Sequence, residues 1–158
     1  MDVSYHYIES GLDTVFLTNG FRFVGSHGSE QVVIDNINGL HTAIAVSLAI
    51  QNQKLCGKEV RFLRTELLLS QASLARILGV KELTVIRWEK DDPSINRAAE
   101  GLLRCLYLNS ISKDHSIKDL LNRLADLEND IHLKLMMEKT ENSKEWKNIN
   151  LFDDAHAA

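Results

Sequence analysis

Apolar residues recur along this chain with two different periods, and the change from one to the other divides it. In the first third the period is short. Val15-Phe16-Leu17-Thr18 and Phe21-Arg22-Phe23-Val24 flank Asn19-Gly20, a pair of residues that both tolerate positive φ. That arrangement predicts a β-hairpin with a two-residue turn. Gly25 to Ser29 is a polar loop, and Gln31-Val32-Val33-Ile34 reads as a third strand. From about Ile37 the spacing becomes helical: Leu40, Ile44 and Leu48, with Ala43 and Ala45 between them, predict a helix over 38–53.

Several short helices with abrupt stops follow. Val60, Leu63 and Leu67 mark one from Glu59 to Leu68. Ser70 is suited to cap a second that runs to Leu78, and Gly79 to end it. A third runs from Lys81 to about Lys90 and is closed by Asp91-Asp92-Pro93. A fourth spans Ile95 to Leu108, with Ala98, Leu102, Cys105 and Leu106 on its apolar side. Ile117, Leu120, Leu121, Leu124, Leu127, Ile131 and Leu135 alternate spacings of three and four, predicting a long amphipathic helix within 114–140. That stripe suits either a cover for the core or a dimer seam. Residues 141–158 are polar and are expected to form a flexible tail.

The segment from Ser70 to Lys90 concentrates the chemistry. It reads as helix, glycine-containing turn, helix. Leu74 and Leu78 are expected inside, Ala75 at a close helix crossing, and Val80 as the plug of the turn. Val85 and Trp88, three apart, anchor the second helix. With Val85 placed at zero and about 100° per residue, Leu83, Arg87 and Lys90 fall between about 140° and 200°, opposite the anchored face. Arginine there offers a donor fork suited to guanine, and an apolar neighbour suits a thymine methyl. Thr84 and Lys90 suit phosphate oxygens. Gln71, at the first helix start, can reach backbone or base. Glu89 lies near the anchored face and is expected to pair with Arg61 or Arg64, while Glu82 faces phosphates unfavourably unless it accepts from a cytosine amino group or is held by Lys81.

Charge supports this reading once it is divided along the chain. The net charge is −4. Residues 1–53 carry one base against five acids, 54–113 eleven bases against seven acids, and 114–158 six bases against ten acids. A positive middle between acidic flanks is what a DNA-reading module inside a larger regulator would carry. Hydrophobic residues at 44% and charged residues at 25% fit a folded domain. No apolar run approaches a membrane span, and no basic, then apolar, leader is visible. With two cysteines, Cys56 and Cys105, a reducing cytoplasmic compartment is expected.

The stretch Ser70 to Lys90 resembles the Xre/Cro family of helix-turn-helix repressors. Carried over by position, the family's DNA contacts imply Gln71, Lys81, Glu82, Leu83, Thr84 and Arg87. A longer stretch, Leu55-Cys56-Gly57-Lys58-Glu59-Val60-Arg61-Phe62-Leu63-Arg64 together with Arg87-Trp88-Glu89-Lys90, is similar to regulators related to MqsA antitoxins. Glu9-Ser10-Gly11-Leu12, Asn19-Gly20 and Gly39-Leu40-His41 extend that similarity over roughly residues 5–108. The resemblance implies an autoregulating repressor that is dimeric through its helix-turn-helix domain, with a toxin as a further partner. Two departures stand out: the chain lacks the cysteine pairs of the zinc-binding domain, and Leu83 occupies the base-reading asparagine position.

Other chemistries find little support. The six histidines are scattered, Cys105 lies on an apolar stripe, and Gly25 to Ser29 lacks the pattern and lysine of a phosphate loop. No catalytic, cofactor or metal site is therefore expected. The expected fold is mainly α within the α+β class: a lambda-repressor-like helix-turn-helix bundle over 54–113, preceded by a small antiparallel sheet and helix in 1–53. The expected function is a cytoplasmic, dimeric transcriptional repressor reading an inverted repeat in double-stranded DNA through Gln71, Lys81, Glu82, Leu83, Thr84, Arg87 and Lys90. The alternative is an antitoxin-type module that neutralises a partner toxin.

Overall fold

In the computed structural model, which describes residues 4–26, 28–111, 134–142 and 144–151, strands and helices both occur and the class is α+β. The chain divides into two units, one made of Met1–Ile44 and Leu133–Ala158, the other of Ala45–His132.

The first unit contains four strands in one sheet and two in another. β1 (Tyr5–His6) pairs antiparallel with β2 (Val15–Leu17), and β2 pairs in parallel with β5 (Leu135–Lys139). β5 in turn pairs antiparallel with β6 (Trp146–Asn148), so the order is β1-β2-β5-β6. Alternation puts Val15, Leu17, Leu135 and Met137 inside, leaving Phe16 and Met136 half-exposed on the other face. β3 (Phe21–Val24) and β4 (Gln31–Ile34) form a separate two-stranded ribbon, with Phe21 opposite Ile34 and Phe23 opposite Val32. α1 (Ile37–Ile50) buries Leu40 and Ile44 in the part that belongs to this unit.

The structure corrects several sequence expectations. The Asn19–Gly20 hairpin does not form, because β2 and β3 lie in different sheets. Asn19 instead completes the parallel pairing: its Oδ1 accepts from Lys139 N at 2.7 Å, and its Nδ2 donates to Lys139 O at 3.3 Å. Thr18 N donates to Met137 O. Gly20, at φ +72°, turns the chain out of that sheet beneath the Trp146 ring, which leaves no room for a Cβ. A strong local turn signal thus yields to a partner strand about 120 positions away.

The expected helix over 114–140 is overturned at its end, where residues 135–139 are strand. Leu135 continues the three-four spacing but also starts a period-two run with Met137, and a short apolar run fits either. The portion of the stripe from Ile117 to Ile131 lies outside the described residues. The expected flexible tail contains β6, where Trp146 is buried and its Nε1 donates to Asp35 O at 3.1 Å. The C-terminal stretch completes the N-terminal unit, a division that differs from the boundaries expected at 53, 113 and 140.

The described residues of the second unit form helices: α2 (Gly57–Glu66), α3 (Gln71–Leu78), α4 (Glu82–Trp88) and α5 (Arg97–Ile111), together with the end of α1. Glu59 makes a capping box with Cys56 at the start of α2. Asn96 caps α5 by accepting from Ala99 N at 2.9 Å. The buried side of α5 is Ala99, Glu100, Leu103, Arg104, Tyr107 and Leu108, not the expected face of Ala98, Leu102, Cys105 and Leu106. Ala98 and Leu102 are exposed, and Cys105 and Leu106 are half-buried.

This side joins the apolar Leu103, Tyr107 and Leu108 to a buried ion pair. Arg104 is fully buried and Nη1 donates to the carbonyls of Leu48, Ala49 and Gln51, while Nη2 donates to Gln53 O and to Glu100 Oε1. Glu100 Oε1 also accepts from Leu55 N at 3.2 Å. This cation satisfies carbonyls that the end of α1 leaves open. Replacing Arg104 by leucine strips Glu100 and those carbonyls of their donor, so the second unit is expected to lose about 3–5 kcal/mol. Denaturant unfolding of the two proteins measures the difference.

Candidate nucleic-acid interface

The local rules that build α3 and α4 are visible residue by residue. Ser70 holds an extended conformation and its hydroxyl accepts from Ser73 N at 3.0 Å, capping α3. At the other end Gly79 is left-handed, with φ +69°, and Val80 N donates to Ala75 O while Gly79 N donates to Arg76 O. That pair of bonds is a Schellman motif, which reverses the chain over a few residues. Lys81 is extended at the start of α4 without a side-chain cap. Leu74 and Ala75 are buried, whereas Leu78 and Val80, expected as inward packing and plug, are half-buried.

α4 is pinned on one side. Val85 and Trp88 are buried, as their spacing predicts. Gly57 lies against the helix end so closely that a Cβ there would stand 2.5 Å from Glu89 O, and Gly57 N donates to Asp91 Oδ1 at 2.9 Å. Glu89, the residue after α4, pairs with Arg64 through both oxygens, at 2.5 Å from Nε and 3.2 Å from Nη2. The second of the two expected partners is thus the one used. Arg64 also donates to Leu69 O at 2.8 Å, closing the turn between α2 and α3.

The expected DNA contacts separate into two groups. Lys81, Glu82, Leu83, Arg87 and Lys90 are exposed, and Thr84 is half-buried beside them. Among the described residues, the side chains of Lys81, Glu82, Arg87 and Lys90 make no hydrogen bond or ion pair. Gln71 departs from this group. It is half-buried, and its Nε2 donates to Glu89 Oε2 at 2.8 Å, so its donor is used within the protein. Lys90 follows α4 rather than belonging to it, its N–H donating to Arg87 O.

Sequence reasoning anticipated the Glu89–Arg64 pair but missed the bond from Gln71 to Glu89. Nothing in the spacing places Gln71 beside an acid eighteen residues on. One carboxylate, Glu89, is held inside, while Lys81, Arg87 and Lys90 stay exposed together with Glu82, Asp91 and Asp92. Burial, and then the charge of Glu59, pushes the Cys56 thiol up to about 11. It is therefore a neutral cap, unsuited to nucleophilic work near neutral pH. Among the described residues no group of three or more histidine, cysteine, aspartate or glutamate side chains could hold a metal.

Removing the shared carboxylate tests this network. Glu89→Ala leaves Arg64 buried without its counter-charge and is expected to destabilise the second unit by about 3 kcal/mol. Gln71→Ala removes one bond to a charged group and is expected to cost about 1–2 kcal/mol. Urea midpoints of both variants against the parent protein give the comparison. No family model matches this chain, and neither does any curated protein or solved structure.

Proposed function

We propose that the protein is a sequence-specific DNA-binding regulator of the Xre/Cro helix-turn-helix type, reading the major groove with the exposed side of α4. The observation that carries the reading is the two-sidedness of α4. Val85 and Trp88 are buried, and Arg87, flanked by Leu83, Thr84 and Lys90, faces away with its guanidinium unengaged among the described residues. A short helix presented on a capped, glycine-reversed partner suits a groove that admits one helix. Lys81 and Lys90 at its two ends supply phosphate contacts, which give most of the affinity. Arg87 supplies discrimination through a bidentate contact to guanine. In this reading the protein acts in the cytoplasm as a dimer on an inverted repeat and represses its own operon, with no catalytic role. Among the described residues no helix is long and apolar enough to cross a membrane.

A second reading, an antitoxin-type module, is favoured by one observation in the first unit. Tyr5, Phe21 and Phe23 form an aromatic cluster with ring centroids 5.4–6.0 Å apart, and Phe23 remains 54% exposed. Exposed aromatic side chains on a two-stranded ribbon suit a protein partner. The two readings are compatible in one chain.

Arg87→Ala separates base reading from general charge. It is expected to cost ~1–3 kcal/mol on duplexes selected by the protein from genomic fragments and to spare binding to scrambled duplex. Titrations at several salt concentrations measure both. Equal losses on the two DNAs would remove Arg87 from the discriminating role.

A further inference from the structure

We propose that Leu83 reads the C5-methyl group of a thymine lying within about two base pairs of a guanine held by Arg87. The inference rests on the DNA-reading function argued above and adds the chemistry of one contact.

Leu83 is the second residue of α4 and is 59% exposed. Scattered exposed leucines are ordinary, so exposure alone carries little; its setting carries more. The opposite side of α4 is held by Val85 and Trp88, both buried. Any rotation that hid Leu83 would bring one of them toward water, so its exposure is set by packing. Arg87, one turn further on, is exposed and unengaged among the described residues. Residues four apart on a helix are separated by about 6 Å along its axis. Bases on one strand are spaced at about 3.4 Å. A helix lying along the groove therefore sets these two side chains on positions one or two base pairs apart.

Groove chemistry then assigns the bases. Guanine offers two acceptors to the arginine fork. Thymine alone among the four bases offers a methyl group, while cytosine offers an amino donor that leucine cannot accept. Leu83 has no polar atom in its side chain, so a methyl is the major-groove feature it can bury with gain.

The test uses duplexes retained by the full-length protein from a random-sequence pool. Each thymine is replaced in turn by deoxyuridine, which lacks only the methyl, and each guanine by 7-deazaguanine, which lacks N7. Wild type is expected to lose about fourfold in affinity at one thymine per half-site, the contribution of one buried methyl group. That thymine should lie within about two base pairs of a guanine whose replacement weakens the wild type but not Arg87→Ala. Leu83→Ala is expected to bind thymine and deoxyuridine duplexes equally. Leu83→Met, which keeps an apolar surface there, is expected to retain the difference. Uniform tolerance of deoxyuridine by the wild type, or discrimination surviving in Leu83→Ala, would overturn the inference while leaving DNA reading intact. Failure to retain any preferred sequence would overturn both together.

Discussion

A guanidinium sealed away from water is the constraint on which the second unit turns. Arg104 lies among the carbonyls of residues 48–53 and the carboxylate of Glu100. A cation in such a place is tolerable only when nearly every donor is matched and the charge is countered. Burial pulls its pKa down and the Glu100 carboxylate pushes it back up. Because the acceptors are backbone carbonyls, the pairing specifies where α1 stops and how the chain proceeds toward α2. Leu55 N–H bonds to the same carboxylate oxygen, so α5, the end of α1 and the segment before α2 share one polar centre. This centre also selects which side of α5 faces inward.

The same logic, on a smaller scale, shapes the candidate interface. Glu89 is nearly sealed and uses both oxygens, one on Arg64 and the other shared between Arg64 and Gln71. The close approach at Gly57 and the burial of Trp88 hold the end of α4. With the inward acid paired, the exposed charges on and beside α4 are of both signs, Lys81, Arg87 and Lys90 against Glu82, Asp91 and Asp92. Leu83 is the exposed apolar member of this face.

The first unit carries a different balance. Its four-stranded sheet depends on a parallel pair between β2 and β5, joining residues far apart in sequence, with β6 completing the edge. Non-local pairing of this kind requires a large loss of chain entropy before contacts form. This unit is acidic in sequence and bears an aromatic cluster.

What could be read along the chain was whatever depends on neighbours within a turn or two. Ser70, Gly79 and the Val85–Trp88 spacing act through local backbone geometry and helical period, so α3, its reversal and the anchored side of α4 follow from them directly. The strand at 31–34 and the helix from Ile37 follow in the same way from period alone. Tertiary structure decided everything that needed a distant partner. Asn19–Gly20 carries a hairpin signature, yet Lys139 and Trp146 offered Asn19 and Gly20 better company. Leu135 satisfied two periods at once, and only the vacancy beside β2 made it a strand. The buried face of α5 differs from the expected one because Arg104 and Glu100 find their partners in residues 48–55, and Leu103, Tyr107 and Leu108 go inside with them. Gln71 looked outward in the sequence because Glu89, eighteen residues on, becomes its neighbour only when the helices pack.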